Sequence, residues 1–155
     1  LSSNSVFDGK KPHVKPTNKL CPINEYGCQK AEVEKFIANH IPNASILRLT
    51  KVMHHEMKLL NDWRQKLKKN KKIYAFSDLT FSPVSIEQAI NKINLLSEKK
   101  MRGIYQLSGE KDITYYDYAK SFAEKIGFSK ENVIEDSYKN KFNYEVPAFT
   151  SLMNV

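Results

Sequence analysis

The sequence is poor in cysteine, in glycine and in long apolar runs. Its two cysteines, Cys21 and Cys28, have no second pair, which excludes a multi-disulfide framework and a zinc site built from four cysteines. The five glycines, at positions 9, 27, 103, 109 and 127, form no Gly-x-Gly-x-x-Gly motif. There is no apolar run of about 18 residues. The start of the sequence has no charged segment followed by an apolar one. We therefore expect neither a signal peptide nor a membrane span, and the two cysteines favour a reducing, cytoplasmic location.

Acidic residues are outnumbered by basic ones. The chain has 25 Lys and Arg against 17 Asp and Glu, a net charge of +8 and a pI near 9.4. Such a balance favours anionic partners, which include nucleic acid, a lipid surface or a phosphorylated small molecule. The densest basic run is KKNKK at 68–72, and because no aromatic residues interleave with it, a solvated helix end is the better interpretation. We predict no nucleic-acid and no membrane partner.

The rest of the composition is that of a folded domain. Of the 155 residues, 41% are hydrophobic, with 8 Phe, 8 Tyr and 1 Trp, enough to bury one core. Periodicity and capping signals predict helices from Asn24 to Ile41, over 56–69, from Ser85 to Leu96 and from Thr114 to Ile126. Apolar, β-branched runs predict strands over 44–52, 73–76, 103–107 and 133–136. Strands that alternate with helices in this way predict an α/β fold with a partly parallel sheet.

The first predicted helix carries an apolar stripe and a pair of reactive side chains. Val33, Phe36, Ile37 and Ile41 recur at helical spacing and predict its buried face. Tyr26 and Lys30 are four residues apart, so their side chains share a face. A neighbouring cation stabilises a phenolate, and this lets a phenol with a pKa of about 10 transfer protons near neutral pH. The alternative is an ordinary first turn with a buried ring and a solvated amine.

The context of that pair resembles a known family. The stretches are SSNSVFDG at 2–9, PINEYGCQK at 22–30, ILRLT at 46–50, FSD and SPV between 76 and 84, and GIYQLSG at 103–109. Together they resemble the extended short-chain dehydrogenase/reductases, and within them the dTDP-4-dehydrorhamnose reductase branch. The resemblance covers nearly all of the chain. It implies the C-terminal part of a Rossmann-like parallel-sheet domain (1–52) and a small α/β substrate-binding domain (53–155), with strands that may cross back between the two. The family's Gly-rich half is expected ahead of residue 1, so we expect a fragment.

The resemblance also implies roles for individual residues. The catalytic group would be Ser3, Tyr26 and Lys30, where Tyr26 is the acid and Lys30 lowers its pKa and holds the nicotinamide ribose. The cofactor, NADP or NAD, would contact Tyr26, Lys30 and Thr50, and the Gly-rich half would supply its pyrophosphate site. The candidate substrate-binding residues are Asn4, Ser5, Lys51, Asp78, Thr80 and Ser82. The last three have an equal alternative as turn and cap residues. No metal site is expected, because His54, His55 and Glu56 diverge on a helix and lack a further ligand.

Two functions remain open from the sequence. The resemblance implies an NAD(P)H-dependent reductase, or a related epimerase or dehydratase, that acts on a nucleotide-linked keto-sugar. Lys51 stands where rhamnose-type reductases tend to have a tryptophan, so the sugar and the reaction are not fixed. The alternative is a non-catalytic regulatory or binding subunit that keeps the reductase fold. A homodimer is one option for the oligomeric state.

Overall fold

A computed structural model describes residues 1–142, 144 and 146–155 as alternating strands and helices. In chain order they are β1 (Ser2–Ser3), α1 (Glu25–His40), β2 (Ser45–Leu49), β3 (Lys51–Met53), α2 (Lys58–Lys68), β4 (Ile73–Phe76), β5 (Thr80–Phe81), β6 (Pro83–Ser85), α3 (Ile86–Glu98), β7 (Gly103–Leu107), β8 (Ile113–Thr114), α4 (Tyr115–Lys125), β9 (Val133–Asp136) and α5 (Tyr138–Lys141). Short 3-10 turns occupy Asn4–Val6 and Lys130–Asn132. The order confirms the predicted α/β class. Within these ranges, no helix has the length and apolar character needed to cross a bilayer.

The main sheet is parallel and has the order β1-β2-β7. Ser3 pairs with Leu49, and Leu49 pairs with Leu107, so the three strands end in register. Three two-stranded sheets accompany it: β3-β6 and β4-β9 are parallel, and β5-β8 is antiparallel. Because β7 belongs to the main sheet, that sheet takes strands from both predicted domains. The division at residue 52 stays a prediction.

The strand predicted over 44–52 is two strands in two sheets. β2 pairs with β1 and β7, whereas β3 pairs with β6. The change falls at Thr50, whose backbone N–H donates to the Leu107 carbonyl at 3.2 Å. The sequence shows no glycine or proline there, so composition gave no signal for the break.

Helix starts follow the capping signals. Asn24 Oδ1 accepts from the Gly27 N–H at 2.8 Å, and Ser85 and Gln88 form both hydrogen bonds of a capping box. Thr114 caps α4 through the Asp117 N–H. Thr114 and Asp117 do not form a complete capping box, because the Asp117 carboxylate accepts from the Thr114 hydroxyl at 2.8 Å and not from the Thr114 N–H. Aspartate is one methylene shorter than the glutamate that normally reaches back.

The predicted buried face of α1 is wrong. Val33, Phe36 and Ile41 are 51%, 58% and 48% exposed. The residues that α1 buries are Gly27, Ala31 and Glu34. Glu34 turns inward because it pairs with Arg48 of β2, itself 1% exposed, and a buried guanidinium needs a charged partner.

The largest core lies between α2, α4, β4 and β9. It contains Leu60, Trp63 and Leu67, which share one face of α2, packed with Phe122 and Ile73. A smaller cluster of Val6, Phe7, Ala31 and Leu152 lies under the start of α1. On α3, Ala89 and Leu96 are buried, whereas Ile90 and Ile93 are 48% and 38% exposed.

Candidate active site

The candidate site lies where the strands of the main sheet end. Since Ser3, Leu49 and Leu107 are in register, the residues that follow them, Thr50 among them, lie at the carboxyl edge. In open α/β sheets, ligands bind in the crevice outside this edge.

Ser3 ends β1 and caps the turn that follows. Its hydroxyl oxygen accepts from the Ser5 N–H at 3.2 Å, and the hydroxyl donates to Ser5 Oγ at 3.2 Å and to Asn4 Oδ1 at 3.4 Å. Asn4 and Ser5 also line a small cavity of about 20 Å³, together with Asn24 and Thr150. The three side chains at 3–5 therefore form one polar group.

Tyr26 and Lys30 lie on the first two turns of α1. The Lys30 ammonium is 5.6 Å from the centroid of the Tyr26 ring and donates to the Leu1 carbonyl at 3.4 Å. Tyr26 is 53% exposed. The structure thus places an ammonium over the ring of an accessible tyrosine, and a cation close to a phenol is a neighbour that stabilises the phenolate.

Gly27 brings the start of α1 against the turn after Ser3, a role that the sequence analysis missed. A Cβ at position 27 would lie 2.1 Å from the Ser5 carbonyl oxygen, so no side chain fits there. A glycine is unfavourable inside a helix by about 0.5–1 kcal/mol. Its presence one residue after Tyr26 was therefore the available signal.

The Thr50 hydroxyl is buried without a hydrogen-bond partner among the described residues, as is that of Ser2. An unpaired buried hydroxyl costs free energy, and the contact of Thr50 with a cofactor stays a prediction. Lys51, next in sequence, donates to the Tyr115 hydroxyl at 2.8 Å. Lys51 is therefore held by the start of α4.

The remaining three predicted substrate residues are engaged within the fold. Asp78 accepts from the Tyr138 N–H at 2.6 Å and from the Lys139 N–H at 3.1 Å, at the start of α5. Desolvation acts to raise the pKa of Asp78, but hydrogen bonds, led by that from Tyr138, outweigh it and lower the pKa below its ordinary value. Thr80 donates to the Ala148 carbonyl at 2.9 Å. Ser82, fully buried, lies 3.1 Å from the Ser108 hydroxyl. These contacts give each of the three side chains a partner within the fold, and their contact with a substrate stays a prediction.

A buried polar network supports the site and was not predicted. Arg48 donates from Nε and Nη2 to both Glu34 oxygens, at 2.6–3.1 Å. Its Nη1 donates to Gln106 Oε1 at 3.1 Å and to the Pro16 carbonyl at 3.0 Å. The network joins α1 to β2 and β7, so it fixes the helix that carries Tyr26. An arginine in an apolar strand was the signal in the sequence.

The donor groups fit one end of a nicotinamide dinucleotide. A phenol, an ammonium and a hydroxyl can bind a ribose and a carbonyl oxygen. Tyr26 and Lys30 lie close to each other, and the presence of Thr50 in the same site stays a prediction. The glycines supply no pyrophosphate loop within this sequence. In the part of the chain that the structure describes, no three His, Cys, Asp or Glu side chains gather as metal ligands.

Comparison with known proteins identifies the family. The family model described as the RmlD substrate binding domain matches residues 1–147. The chain belongs to this family. The predicted resemblance to the dTDP-4-dehydrorhamnose reductase family is thereby confirmed, and solved structures of dTDP-sugar enzymes share the α/β fold.

Solved structures share the fold of the RmlD-family chain. The dTDP-4-dehydrorhamnose reductase of Bacillus anthracis, in complex with NADP, superposes with a TM-score of 0.89 at 20% identity, over 99% of this chain and 56% of that one. A hypothetical dTDP-4-dehydrorhamnose reductase from Sulfolobus tokodaii gives 0.81 at 27% identity, over 99% and 54%. The dTDP-glucose 4,6-dehydratase of Bacillus anthracis, in complex with NAD, gives 0.78 at 13% identity, over 99% and 51%.

Curated relatives carry a different name. Methionine adenosyltransferase 2 subunit beta of Pongo abelii is 25% identical over 151 residues, which cover 86% of this chain and 43% of the relative. The protein of the same name from Bos taurus is 25% identical over 144 residues, with the same coverage. The chain thus spans less than half the length of the curated relatives it matches.

Proposed function

We propose that this RmlD-family chain is part of an NAD(P)H-dependent reductase of a nucleotide-linked keto-sugar and that it supplies the proton-transfer group. The observation that carries the proposal is the Lys30 ammonium beside the accessible Tyr26 phenol, on a helix packed against the turn after Ser3. The fold shared with NAD(P)-bound dTDP-sugar enzymes supports it. The cofactor, NADP or NAD, would supply the hydride.

The chain's own residues would handle the proton and the orientation of the ketone. The Tyr26 hydroxyl would protonate the carbonyl oxygen as negative charge develops there. Lys30 would stabilise the resulting phenolate through its positive charge. The Ser3 hydroxyl would donate to the same oxygen in exchange for its present bond to Ser5 Oγ.

We propose the sugar nucleotide as the partner on the substrate side, with contacts from Asn4, Ser5 and Lys51. Lys51 is half-buried and hydrogen-bonded to Tyr115. In the substrate complex its ammonium would stay at that position and favour an anionic or hydroxyl-rich ligand. Reduction, epimerisation and dehydration share the required tyrosine chemistry, and we propose reduction because the family match favours it.

A second candidate is a non-catalytic subunit that keeps the fold. The observation in its favour is the name of the curated relatives, each the beta subunit of a methionine adenosyltransferase. In this role the site could still bind a dinucleotide but would not turn it over. A homodimer and a cytoplasmic location stay predictions under either function.

The deciding experiment measures the oxidation of NADPH and of NADH by the full-length gene product, with dTDP-4-dehydrorhamnose as substrate. We expect Tyr26→Phe and Lys30→Met to lower kcat by about 10²–10⁴-fold, the usual contribution of a positioned acid. The matched controls are Tyr74→Phe, an exposed tyrosine of β4, and Lys35→Met, an exposed lysine of α1. Both controls should keep full activity.

Cofactor binding separates the two candidates. A wild-type protein that binds NADPH, measured by its fluorescence, but turns over no dTDP-sugar would favour the subunit role. A wild-type enzyme whose Tyr26→Phe variant keeps full activity would disprove the proposed mechanism. Complete loss of activity in the Tyr74→Phe control would show that the variants lose activity because they fold poorly, and not because they lack a catalytic group.

A further inference from the structure

A lysine-rich loop, residues 10–21, follows β1 and has no part in the proposed proton transfer. It carries Lys10, Lys11, Lys15 and Lys19 together with His13. From residue 9 to residue 24 the sequence contains no Asp or Glu. Four lysines in so short a stretch repel one another.

The lysine-rich loop surrounds a cavity of about 500 Å³. Its polar wall includes Lys11, Lys15, Lys19 and His13, and Phe7 and Val14 are among its apolar lining residues. The volume lies in the range of sites that bind small molecules. None of the proposed catalytic residues lines it.

Hydrogen bonds to the rest of the fold hold the lysine-rich loop in place. The Val14 carbonyl accepts from Gln106 Nε2 at 2.8 Å and from the Met153 N–H at 3.0 Å. The Pro16 carbonyl accepts from the buried Arg48 guanidinium. The His13 N–H donates to Ser151 Oγ at 3.2 Å, with His13 at a φ of 51°. A non-glycine residue in this left-handed region persists where its surroundings fix it.

Most of the loop's positive charge is not neutralised by the protein. Lys10 lies 3.8 Å from the Asp8 carboxylate. Across 1–142, 144 and 146–155, the ion pairs found include none to Lys11, Lys15 or Lys19. All three side chains are exposed, so a ligand can reach them. A fixed, unneutralised cluster of ammonium groups binds multivalent anions at a low ordering cost.

We propose that this cavity binds a small molecule with two or more linked phosphates, at a site separate from the reductase centre. Linked phosphates match several ammonium groups at once, whereas a single phosphate matches fewer. A small molecule is favoured over nucleic acid because the surface is concave and residues 10–21 contain no Phe, Tyr or Trp on which a base could stack.

The test is calorimetric titration of the full-length gene product with inorganic triphosphate, pyrophosphate and orthophosphate at one ionic strength. We expect affinity to rise in the order orthophosphate, pyrophosphate, triphosphate. The triple variant Lys11→Gln, Lys15→Gln, Lys19→Gln should raise the Kd for triphosphate about tenfold or more. These exposed positions bear no core contacts, and an unchanged Tm will verify the fold.

The matched control removes the same charge elsewhere, as Lys68→Gln, Lys69→Gln, Lys72→Gln in the exposed basic run. It should change the Kd by less than about twofold. Equal losses in the two triple variants would overturn the proposal, because net charge alone would then explain binding. A comparable loss of triphosphate affinity in the Lys30→Met variant, which changes the reductase centre and leaves the lysine-rich loop intact, would overturn the separate site. So would loop-dependent binding of a single-stranded RNA without binding of triphosphate.

Discussion

The Thr50 hydroxyl should have opposite effects on the stability of the fold and on cofactor binding. Its hydroxyl is buried without a partner among the described residues. Removal of an unsatisfied buried hydroxyl is neutral or stabilising by up to about 1–2 kcal/mol, since the group has nothing to lose. We therefore expect Thr50→Val to keep or raise the free energy of unfolding while it raises the Kd for NADPH.

Thr80 provides the matched control for that substitution. Its hydroxyl donates to the Ala148 carbonyl, so Thr80→Val should lose about 0.5–1.5 kcal/mol of unfolding free energy. Denaturant unfolding and NADPH fluorescence titration of the full-length gene product measure both quantities. A destabilised Thr50→Val variant with unchanged NADPH affinity would show that Thr50 has a structural role only.

The Asp78 carboxylate makes stability depend on acid pH. Its pKa is lowered in the folded chain because the hydrogen bonds at the start of α5, led by that from Tyr138, outweigh the desolvation that would raise it. A group with a lowered folded pKa contributes stability above its unfolded pKa of about 4, and the contribution is lost as pH falls through the folded pKa. Asp78→Asn should therefore flatten the decline of Tm below about pH 4. An unchanged acid limb would contradict this role.

The roles of single residues were predictable from the sequence where they depend only on neighbouring residues in the chain. Asn24 and Ser85 cap their helices because the N-terminal N–H groups of any helix need acceptors. The approach of Lys30 to Tyr26 follows from helical spacing. The unpaired Thr50 hydroxyl was not predictable, since it depends on which strands and loops meet at the sheet edge.

At the scale of elements, Gly27 sets how closely α1 approaches the turn that follows β1. A methyl group there would lie 2.1 Å from the Ser5 carbonyl oxygen, so the helix would have to move outward. We expect Gly27→Ala to lose about 1–3 kcal/mol of unfolding free energy, as overpacked positions do. Turnover of the full-length gene product should fall as well, because Tyr26 moves relative to Ser3.

Gln29 supplies the control on the exposed side of the same helix. Gln29→Ala should leave both unfolding and turnover almost unchanged, since alanine is a good helix former. A Gly27→Ala variant as stable and as active as Gln29→Ala would contradict the close contact between α1 and the turn.

The two errors of the sequence analysis at this scale have one physical cause. Helical periodicity placed Val33 and Phe36 inside, but the buried pair of Glu34 and Arg48 rotates α1 the other way. The apolar run at 44–52 likewise predicted one strand, although β2 and β3 form hydrogen bonds in different sheets. Local patterns report which residues suit burial. They do not report which partner is available across the fold.

At the scale of the whole molecule, the last residues of the chain tie its parts together. Leu152 bridges to Val14 of the lysine-rich loop. Asn154 Oδ1 accepts from the Ser108 N–H just after β7, and the Val155 N–H donates to the Gln106 carbonyl. Residues 150–155 therefore contact the loop and the main sheet at once. Their position should set the stability of both.

Asp112 anchors this segment through four hydrogen bonds. Its carboxylate accepts from the N–H and hydroxyl groups of Thr150 and Ser151, at 2.6–3.1 Å. Asp112→Ala leaves those donors without their charged acceptor, so we expect a loss of about 2–3 kcal/mol of unfolding free energy. Asp62→Ala, at an exposed position of α2, should cost far less.

Hydrogen exchange of the Asp112→Ala variant shows whether the loss of stability spreads beyond residues 150–155. If the segment holds the molecule together, amides of β7 and of the loop at 10–21 exchange faster in the Asp112→Ala variant, although neither touches Asp112 in the hydrogen bonds described. Faster exchange confined to 150–155 would show that the segment frays alone and that the sheet and the loop are stable without it. In that case the buried Arg48 network, and not the chain's last residues, would carry the coupling between them.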